Sequence, residues 1–313
     1  MTIDDVLDRF ERIGEDVFSG KAVNLEIGEH QTRNVGIGYE IKDVEQWRRG
    51  DPFGSINWRL SLATWPKKIY KTTKIETKEV PTIMLVDFSP SMTLRFGEES
   101  VKLQLMMDLI GLFSSTASYF RDPFGIIGVA EGLEFFIKPK FGRSHVLDAV
   151  EIILEKVDEY RDKIKSCKLP ISNPTDLNEG LEVVVERSRR QSVVVVVSDF
   201  VDLIYGQKIL DADILSALTA RHQGNVLFLM LEDENEFLWQ GGSGTIMTKD
   251  IETGRLGEVK TNKASAIRAD LKVRQEIFCK KLEEVGIDSL IISSDNYLDK
   301  LADFVANRKI AFN

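Results

Sequence analysis

The sequence predicts a mixed α/β protein in which helices cover both faces of a mostly parallel sheet, preceded by a smaller β-rich region. From residue 82 onward, unbroken apolar runs typical of strands buried on both faces alternate with segments of helical periodicity. Residues 1–80 instead combine one amphipathic segment with β-branched runs and glycine-rich turns. The 313 residues suit two domains. We therefore expect an N-terminal region at 1–80 and the α/β domain at 81–313.

The N-terminal region begins with a predicted helix over residues 3–17, whose apolar residues recur on one face. Strands are predicted at 22–27, which alternates apolar and polar residues, and at 68–77, which is rich in β-branched residues. The stretch between them contains glycines and turn signals, so short strands and loops are expected there. Pro81 ends the region.

The α/β domain is predicted to repeat strand and helix, with one antiparallel edge where LEFFIKP turns back on FGIIGVA at Glu131-Gly132. The other predicted strands are TIMLVD, SVVVVVSD, NVLFLMLED and DSLIIS. The predicted helices are 100–120, 144–160, 176–189, 207–222, 263–285 and 296–306. A hairpin insertion is expected near 244–260.

Composition excludes several classes of protein. No stretch approaches the ~20 apolar residues that span a bilayer, and the acidic, amphipathic MTIDDVLDRF is not a secretory signal. The expected location is therefore cytoplasmic. Cys167 and Cys279 lie too far apart in sequence for a disulfide framework, and the three histidines form no HExxH-like pair, which argues against a zinc hydrolase.

The net charge of −9 is unevenly distributed. Residues 42–78 carry nine Lys or Arg against four Asp or Glu, together with Trp47, Trp58 and Trp65. Basic residues interleaved with aromatics can bind nucleic acid or an anionic surface. A solvated sheet face with tryptophans in a small core is the simpler interpretation, and we favour it.

Oxygen-bearing side chains follow the ends of two predicted strands. Asp87 ends the first buried strand in MLVDFSPSM, and Ser89 and Ser91 follow where the chain turns. Asp199 ends a second strand in VVVVVSDF, and Thr175 precedes a helix in SNPTDLNEGLE. Because the functional crevice of an open α/β sheet lies beyond the carboxyl ends of its strands, we expect these five residues at one rim.

A set of two carboxylates and three hydroxyls suits Mg²⁺, or Mn²⁺, which prefer hard oxygen ligands. Direct contact through hydroxyls leaves much of the ion's charge uncompensated, so such a site attracts an external carboxylate and binds acidic partners without catalysis. Each residue also has a local structural interpretation. Asp87 with Ser89 fits an Asx-turn, and Asp176 with Glu179 fits a capping box.

The motifs DFSPSM, PTDL and VSDF resemble the D-x-S-x-S, threonine and aspartate motifs of von Willebrand factor A domains. The resemblance implies a Rossmann-like sheet carrying a metal-ion-dependent adhesion site. It implies direct ligation by Ser89, Ser91 and Thr175, with Asp87 and Asp199 acting directly or through water.

Upstream, WRRGDPFGSINWRLSLATWPKKIYKTTKIETKEV is similar to the hallmark segment of the bacterial "domain of unknown function 58" family, and DIETGRLGEV also fits that family. The resemblance covers nearly the whole chain. The chain departs from the family's pattern in three segments: Pro52 and Asn57 each replace an aspartate, and Ser61-Leu62-Ala63 replaces Ser-Ala-Arg. Family members look like companions of MoxR-type AAA+ ATPases. This implies a metal-dependent adaptor, cytoplasmic or held at the membrane periphery by its partners.

Three enzyme classes fit the sequence less well. A phosphohydrolase of the haloacid dehalogenase type needs a second carboxylate two residues after the first, where this chain has Ser89. A serine hydrolase needs a G-x-S-x-G elbow, which is missing, and His145 opens a predicted helix. The glycine-rich stretch 241–245 lacks the lysine of a P-loop. We therefore expect a binding protein and no catalytic residue.

Overall fold

The computed structural model describes residues 1–18, 31–51, 53–64, 68–77, 79–95, 98–142, 144–166, 175–233, 245–249, 256–260 and 264–311. The helices are α1 (Ile3–Phe18), α2 (Trp58–Ala63), α3 (Pro90–Thr93), α4 (Val101–Phe120), α5 (Ser144–Lys165), α6 (Leu177–Arg187), α7 (Val201–Ile204), α8 (Ala212–His222), α9 (Ala264–Glu284) and α10 (Tyr297–Ala311), with a 3-10 turn at Phe53–Ser55. The strands are β1 (Gln31–Gln46), β2 (Tyr70–Thr77), β3 (Thr82–Asp87), β4 (Leu94–Arg95), β5 (Glu98–Glu99), β6 (Phe124–Val129), β7 (Leu133–Lys140), β8 (Val193–Ser198), β9 (Val226–Leu231), β10 (Thr245–Lys249), β11 (Leu256–Lys260) and β12 (Asp288–Ile292).

The chain divides into two compact units. The smaller unit is Gly28–Val80, in which β1 and β2 pair antiparallel. The larger unit is formed by Met1–Ile27 together with Pro81–Asn313.

The larger unit is built on a six-stranded sheet in the order β12-β9-β8-β3-β6-β7. Adjacent strands are parallel except for β7, which runs antiparallel to β6 at one edge. The strands β3, β6, β8 and β9 are buried almost completely, as their unbroken apolar sequences predict. The mixed α/β fold with a mostly parallel sheet is therefore confirmed.

Helices cover both faces of this sheet. The helices α6, α8 and α9 contribute to a hydrophobic cluster with strand residues that include Leu85, Val196 and Phe228. The helix α4 contacts β3, β6 and β9, and α5 contacts β6 and β7. Because no residue of α4 or α5 belongs to that cluster, these two helices pack on the other face.

The helix α1 packs against α4 and belongs to the larger unit. The sequence had instead placed this helix in the N-terminal region at 1–80, because it directly precedes the β-rich segment. A Cβ added at Gly111 would lie 2.6 Å from a ring carbon of Phe10, so the two helices meet closely there. The Arg9 guanidinium also binds both carboxylate oxygens of Asp108, at 2.8 and 3.1 Å.

Most predicted elements from residue 82 onward are confirmed to within a few residues. The helix expected at 207–222 begins only at Ala212, because the Asp211 side chain accepts hydrogen bonds from the Asp213 and Ile214 amides and caps it there. The prediction of short strands before residue 47 is wrong. The single strand β1 keeps its pairing with β2 through several register shifts, which accommodate the irregular sequence. The strand expected at 22–27 and residues 250–255, which include the turn of the expected hairpin, lie outside the described residues.

The two strands of the expected hairpin, β10 and β11, pair antiparallel. Within the described part of the chain, no helix is both long and apolar enough to cross a membrane.

Candidate metal centre

The two predicted carboxylates lie at the ends of neighbouring strands in the middle of the sheet. Asp87 is the last residue of β3, and Asp199 directly follows the last residue of β8. The strands β3 and β8 are adjacent and parallel, so both carboxylates lie at the same edge. This is the edge at which open α/β sheets place their ligands.

Asp87 is 3 % exposed, and both of its carboxylate oxygens are held. Oδ1 accepts a hydrogen bond from the Ser89 amide at 2.9 Å, and Oδ2 accepts one from the Ser198 hydroxyl at 2.7 Å. Burial, and next the negative charge of Asp199, raise the pKa of Asp87 from 3.8 to about 6. The two carboxylates therefore feel each other's charge, and a cation bound between them would relieve that repulsion.

Ser89 and Ser91 present their hydroxyls together at the start of α3. Ser89 occupies the N-cap position, yet its side chain makes no capping hydrogen bond. Its hydroxyl instead lies 3.1 Å from the Ser91 hydroxyl. The short α3 is fixed by Pro90 in its first turn and by the Thr93 hydroxyl, which donates to the Ser89 carbonyl at 2.9 Å.

Asp199 is also buried and is held from two directions. The Lys102 ammonium on α4 lies 3.0 Å from Oδ2, and the Val201 amide donates to Oδ1 at 3.2 Å. The next residue, Phe200, has a φ of +52°, which is unfavourable for a bulky side chain. This conformation is held by stacking of the Phe200 ring on Phe228, with ring centroids 5.4 Å apart.

Thr175 lies at the entrance of α6, immediately before the N-cap residue Asp176. The helix packs closely on the centre of the sheet, because a Cβ at Gly180 would lie 2.6 Å from Leu85. The Glu179 carboxylate accepts a hydrogen bond from the Leu133 amide, in the turn between β6 and β7. Thr175 is therefore at the same edge of the sheet as the other four residues, although none of the hydrogen bonds found among the described residues joins it to them.

Two residues of this edge were missed from sequence. The Ser198 hydroxyl donates to Asp87 and accepts from the Phe200 amide at 3.0 Å, so it links the two strand ends. Lys102 supplies the ammonium that pairs with Asp199. The sequence could have indicated Lys102 as a site residue, because in SVKLQLMM this lysine shares a helix face with Met106 and Leu109, which are apolar and buried.

The hydroxyls and carboxylates present here fit a small divalent cation. In an octahedral shell with ligands at about 2.1 Å, neighbouring ligands lie roughly 3 Å apart, which matches the 3.1 Å between the Ser89 and Ser91 hydroxyls. No cluster of three or more His, Cys, Asp and Glu side chains that could hold a metal occurs in the described part of the chain. A metal at this edge would therefore depend on hydroxyl ligands.

Tyr160 on α5 lies close enough to Asp87 for the charge of that carboxylate to act on its pKa. Burial, and then the charges of Glu134, Glu131 and Asp87, raise its pKa above the usual range. Its hydroxyl is buried and has no hydrogen-bond partner among the residues that the structure describes. Such an atom carries a desolvation cost unless another group, such as a bound water, satisfies it.

In the smaller unit, two residues of the segment 48–58 have structural roles. Asp51 accepts a hydrogen bond from the Arg48 amide at 2.7 Å and lies 3.1 Å from the Lys71 ammonium. Asn57 caps α2 by accepting from the Leu60 amide at 3.0 Å, and its amide nitrogen donates to the Thr72 hydroxyl at 3.0 Å. An aspartate at position 57 could form the cap but could not donate to Thr72.

A protein-family model described as "Protein of unknown function DUF58" matches residues 43–276, which is about three quarters of the chain. The matched region contains the small-unit segment just described and all five predicted site residues. No curated protein matches the chain.

Proposed function

The chain belongs to the DUF58 family, a family of proteins of unknown function, and we propose that it is a metal-dependent protein-interaction module. In this proposal the larger unit is a von Willebrand factor A-like domain, and its sheet edge is a metal-ion-dependent adhesion site for Mg²⁺ or Mn²⁺. The observation that carries the proposal is the arrangement of Asp87, Ser89, Ser91 and Asp199 at the ends of two adjacent parallel strands.

We propose a role for each residue from its position and, where it has them, its contacts. Ser89 and Ser91 offer adjacent hydroxyl ligands, because neither hydroxyl is used to cap α3. Asp87 is oriented through both of its oxygens, each of which retains a further lone pair for the ion or for a bound water. Asp199 supplies the second negative charge, and Thr175 supplies a third hydroxyl from the entrance of α6. Bound here, Mg²⁺ would add positive charge and offer a coordination position to an external carboxylate.

The types of side chain at this edge of the sheet support binding over catalysis. The position where a haloacid dehalogenase-type phosphohydrolase needs its second carboxylate is occupied by Ser89, whose neutral hydroxyl is a poor general acid or base at neutral pH. The site residues are therefore proposed as ligands, with no catalytic role.

The proposed partner is a MoxR-type AAA+ ATPase that presents an acidic side chain to the metal. This partner is suggested by the family resemblance, and the proposed role is to help the ATPase recognise or remodel a client protein. The test is co-precipitation of the purified chain with the MoxR-type ATPase of the same cell, in Mg²⁺ and in excess EDTA. The proposal expects capture in Mg²⁺ that EDTA abolishes and moderate salt leaves intact, whereas equal capture in both buffers would overturn it.

A second candidate function uses the smaller unit. Phe53 and Trp58 are 77 % and 59 % exposed, and the side chains of Arg48, Arg49 and Arg59 are exposed in the same unit. Exposed aromatics near cations can bind nucleic acid or an anionic surface. Because such binding releases counterions, it would fall steeply with salt and would be unaffected by EDTA. The same co-precipitation buffers, with single-stranded DNA as the ligand, therefore separate the two functions.

A further inference from the structure

Lys102 places a positive charge at the candidate metal centre. It lies in the first turn of α4 and is 3 % exposed, and its ammonium is 3.0 Å from Oδ2 of Asp199. Asp199 is 6 % exposed, so this ion pair is buried. Buried ion pairs are often no more stabilising than apolar residues of the same size, because both charges lose their hydration. Fold stability alone is therefore a weak explanation for a lysine on this helix face.

The position of the ion pair matters because Asp199 also acts on Asp87. Asp87 ends β3, and Asp199 directly follows β8, the adjacent parallel strand. The two carboxylates and the Lys102 ammonium therefore form one electrostatic group. The ammonium adds one positive charge to this group, so the group is one charge more positive with Lys102 than without it, whether or not a divalent cation is bound.

We propose that Lys102 is a fixed cation of the metal centre, which weakens divalent-metal binding and makes the loaded centre more positive toward an acidic ligand. The inference rests on the proposed metal-dependent function and specifies how its site selects a ligand. Coulomb repulsion between the ammonium and the metal weakens metal binding, while the same ammonium attracts the ligand's carboxylate. Removal of the Lys102 charge should therefore strengthen metal binding and weaken binding of the acidic ligand.

If Lys102 only positions Asp199, the variants should differ from the wild type in metal affinity in another way. If the lysine only orients the Asp199 carboxylate, any variant that keeps the hydrogen bond should bind metal normally, and a variant that loses it should bind metal less well. Lys102→Gln retains a donor for Asp199 without the charge, Lys102→Met removes both, and Lys102→Arg retains both. The three variants therefore separate charge from orientation.

The experiment titrates MgCl₂ into the wild-type chain and the three variants by calorimetry, and then titrates a penta-aspartate peptide into each metal-loaded protein. We expect Lys102→Gln and Lys102→Met to bind Mg²⁺ about tenfold more tightly and the peptide at least several-fold more weakly. Lys102→Arg should resemble the wild type. Wild-type affinity in Lys102→Gln, or weaker Mg²⁺ binding in both uncharged variants, would overturn the inference.

Three further outcomes are distinguishable. If Lys102→Met fails to fold because it leaves Asp199 unpaired, Lys102→Gln alone decides the question, with circular dichroism as the check on folding. If the wild-type chain binds no Mg²⁺, the proposed function itself fails and the inference fails with it. If the wild type binds Mg²⁺ and the uncharged variants show no change, only the inference is overturned.

Discussion

The hydroxyl of Ser198 donates a hydrogen bond to Oδ2 of Asp87 across 2.7 Å and thereby joins the ends of the two central strands. The same hydroxyl accepts from the Phe200 amide, in the loop that carries Asp199. One buried serine thus orients the first carboxylate and fixes the backbone next to the second. The position of the two carboxylates is therefore built into the ends of β3 and β8.

Replacement of this serine should cost more stability than replacement of an ordinary buried serine. We expect Ser198→Ala to lower the free energy of unfolding by about 1–3 kcal/mol, because it removes a hydrogen bond to a buried carboxylate. The matched control is Ser114→Ala, since the buried Ser114 hydroxyl donates to a neutral acceptor, the carbonyl of Gly111. Urea denaturation in EDTA measures both variants, and equal losses would contradict a special role for Ser198.

Neutralising Asp87 should stabilise the metal-free protein. The pKa of Asp87 is raised from its ordinary value of 3.8 to about 6 by folding, so the folded protein binds the carboxyl proton more tightly than the unfolded chain does. The stability that this proton contributes is therefore lost as the pH rises from 3.8 through 6. At pH 7 the ionised carboxyl costs roughly 3 kcal/mol. The side-chain amide introduced by Asp87→Asn would lack this charge, and it could still accept from the Ser89 amide and donate to Ser198.

We therefore expect Asp87→Asn to unfold with a free energy about 1–3 kcal/mol higher than the wild type in EDTA at pH 7. The control is Asp122→Asn, a buried aspartate before β6 at the opposite edge of the sheet. A loss of stability in Asp87→Asn, measured by urea denaturation, would mean that the carboxylate is a structural requirement of the fold.

The two serine hydroxyls should be required for metal binding and dispensable for folding. Since the Ser89 side chain does not cap α3, we expect the double variant Ser89→Ala, Ser91→Ala to lose only about 1 kcal/mol of stability relative to the wild type in EDTA. Mg²⁺ at about a hundred times its dissociation constant should stabilise the wild type by about 2.7 kcal/mol. The double variant should lack this gain.

Thermal unfolding with and without Mg²⁺ measures both effects, and Ser216→Ala, an exposed position on α8, is the control. An undiminished Mg²⁺ effect in the double variant would exclude the two hydroxyls as ligands.

His222 should make the fold sensitive to acid at a point remote from the metal centre. Its Nδ1–H donates to the Ser192 carbonyl at 3.0 Å, so Nε2 accepts from the Ser188 hydroxyl, also at 3.0 Å. Burial is the main cause that lowers the pKa of His222 from 6.5 to about 4, and the nearby charge of Arg221 lowers it further. The stability contributed by the neutral ring is present above pH 6.5 and is lost as the pH falls toward 4.

We expect this residue to account for about 3 kcal/mol of the stability lost between pH 6.5 and pH 4. His222→Gln should lose correspondingly less over that interval, even if it is less stable at neutral pH. Urea denaturation across this pH range gives the comparison. Parallel stability curves for the two proteins would contradict the prediction.

The sequence predicted the sheet well because each central strand is an unbroken apolar run, and only a doubly covered strand requires that pattern. It also placed Asp87, Ser89 and Asp199 at strand ends, because each closely follows such a run. The contacts of Ser198 and Lys102 could not be predicted in the same way. Both depend on which strand and helix become neighbours, and a single sequence does not specify that arrangement.

The sequence also could not predict that α1 belongs to the larger unit, because that depends on a long-range contact. Its amphipathic pattern predicts a helix with one buried face, but the close approach of Phe10 to Gly111 determines that the face packs on α4. Helical periodicity shows that a face is buried and does not show against which element.

Calorimetric titration of MgCl₂ into the metal-free wild-type chain and into Asp87→Asn decides whether this edge of the sheet binds a metal. We expect binding at one site in the wild type, which Asp122→Asn retains and Asp87→Asn abolishes. No binding to the wild type, or equal binding to the wild type and Asp87→Asn, would contradict a metal centre at this edge of the sheet.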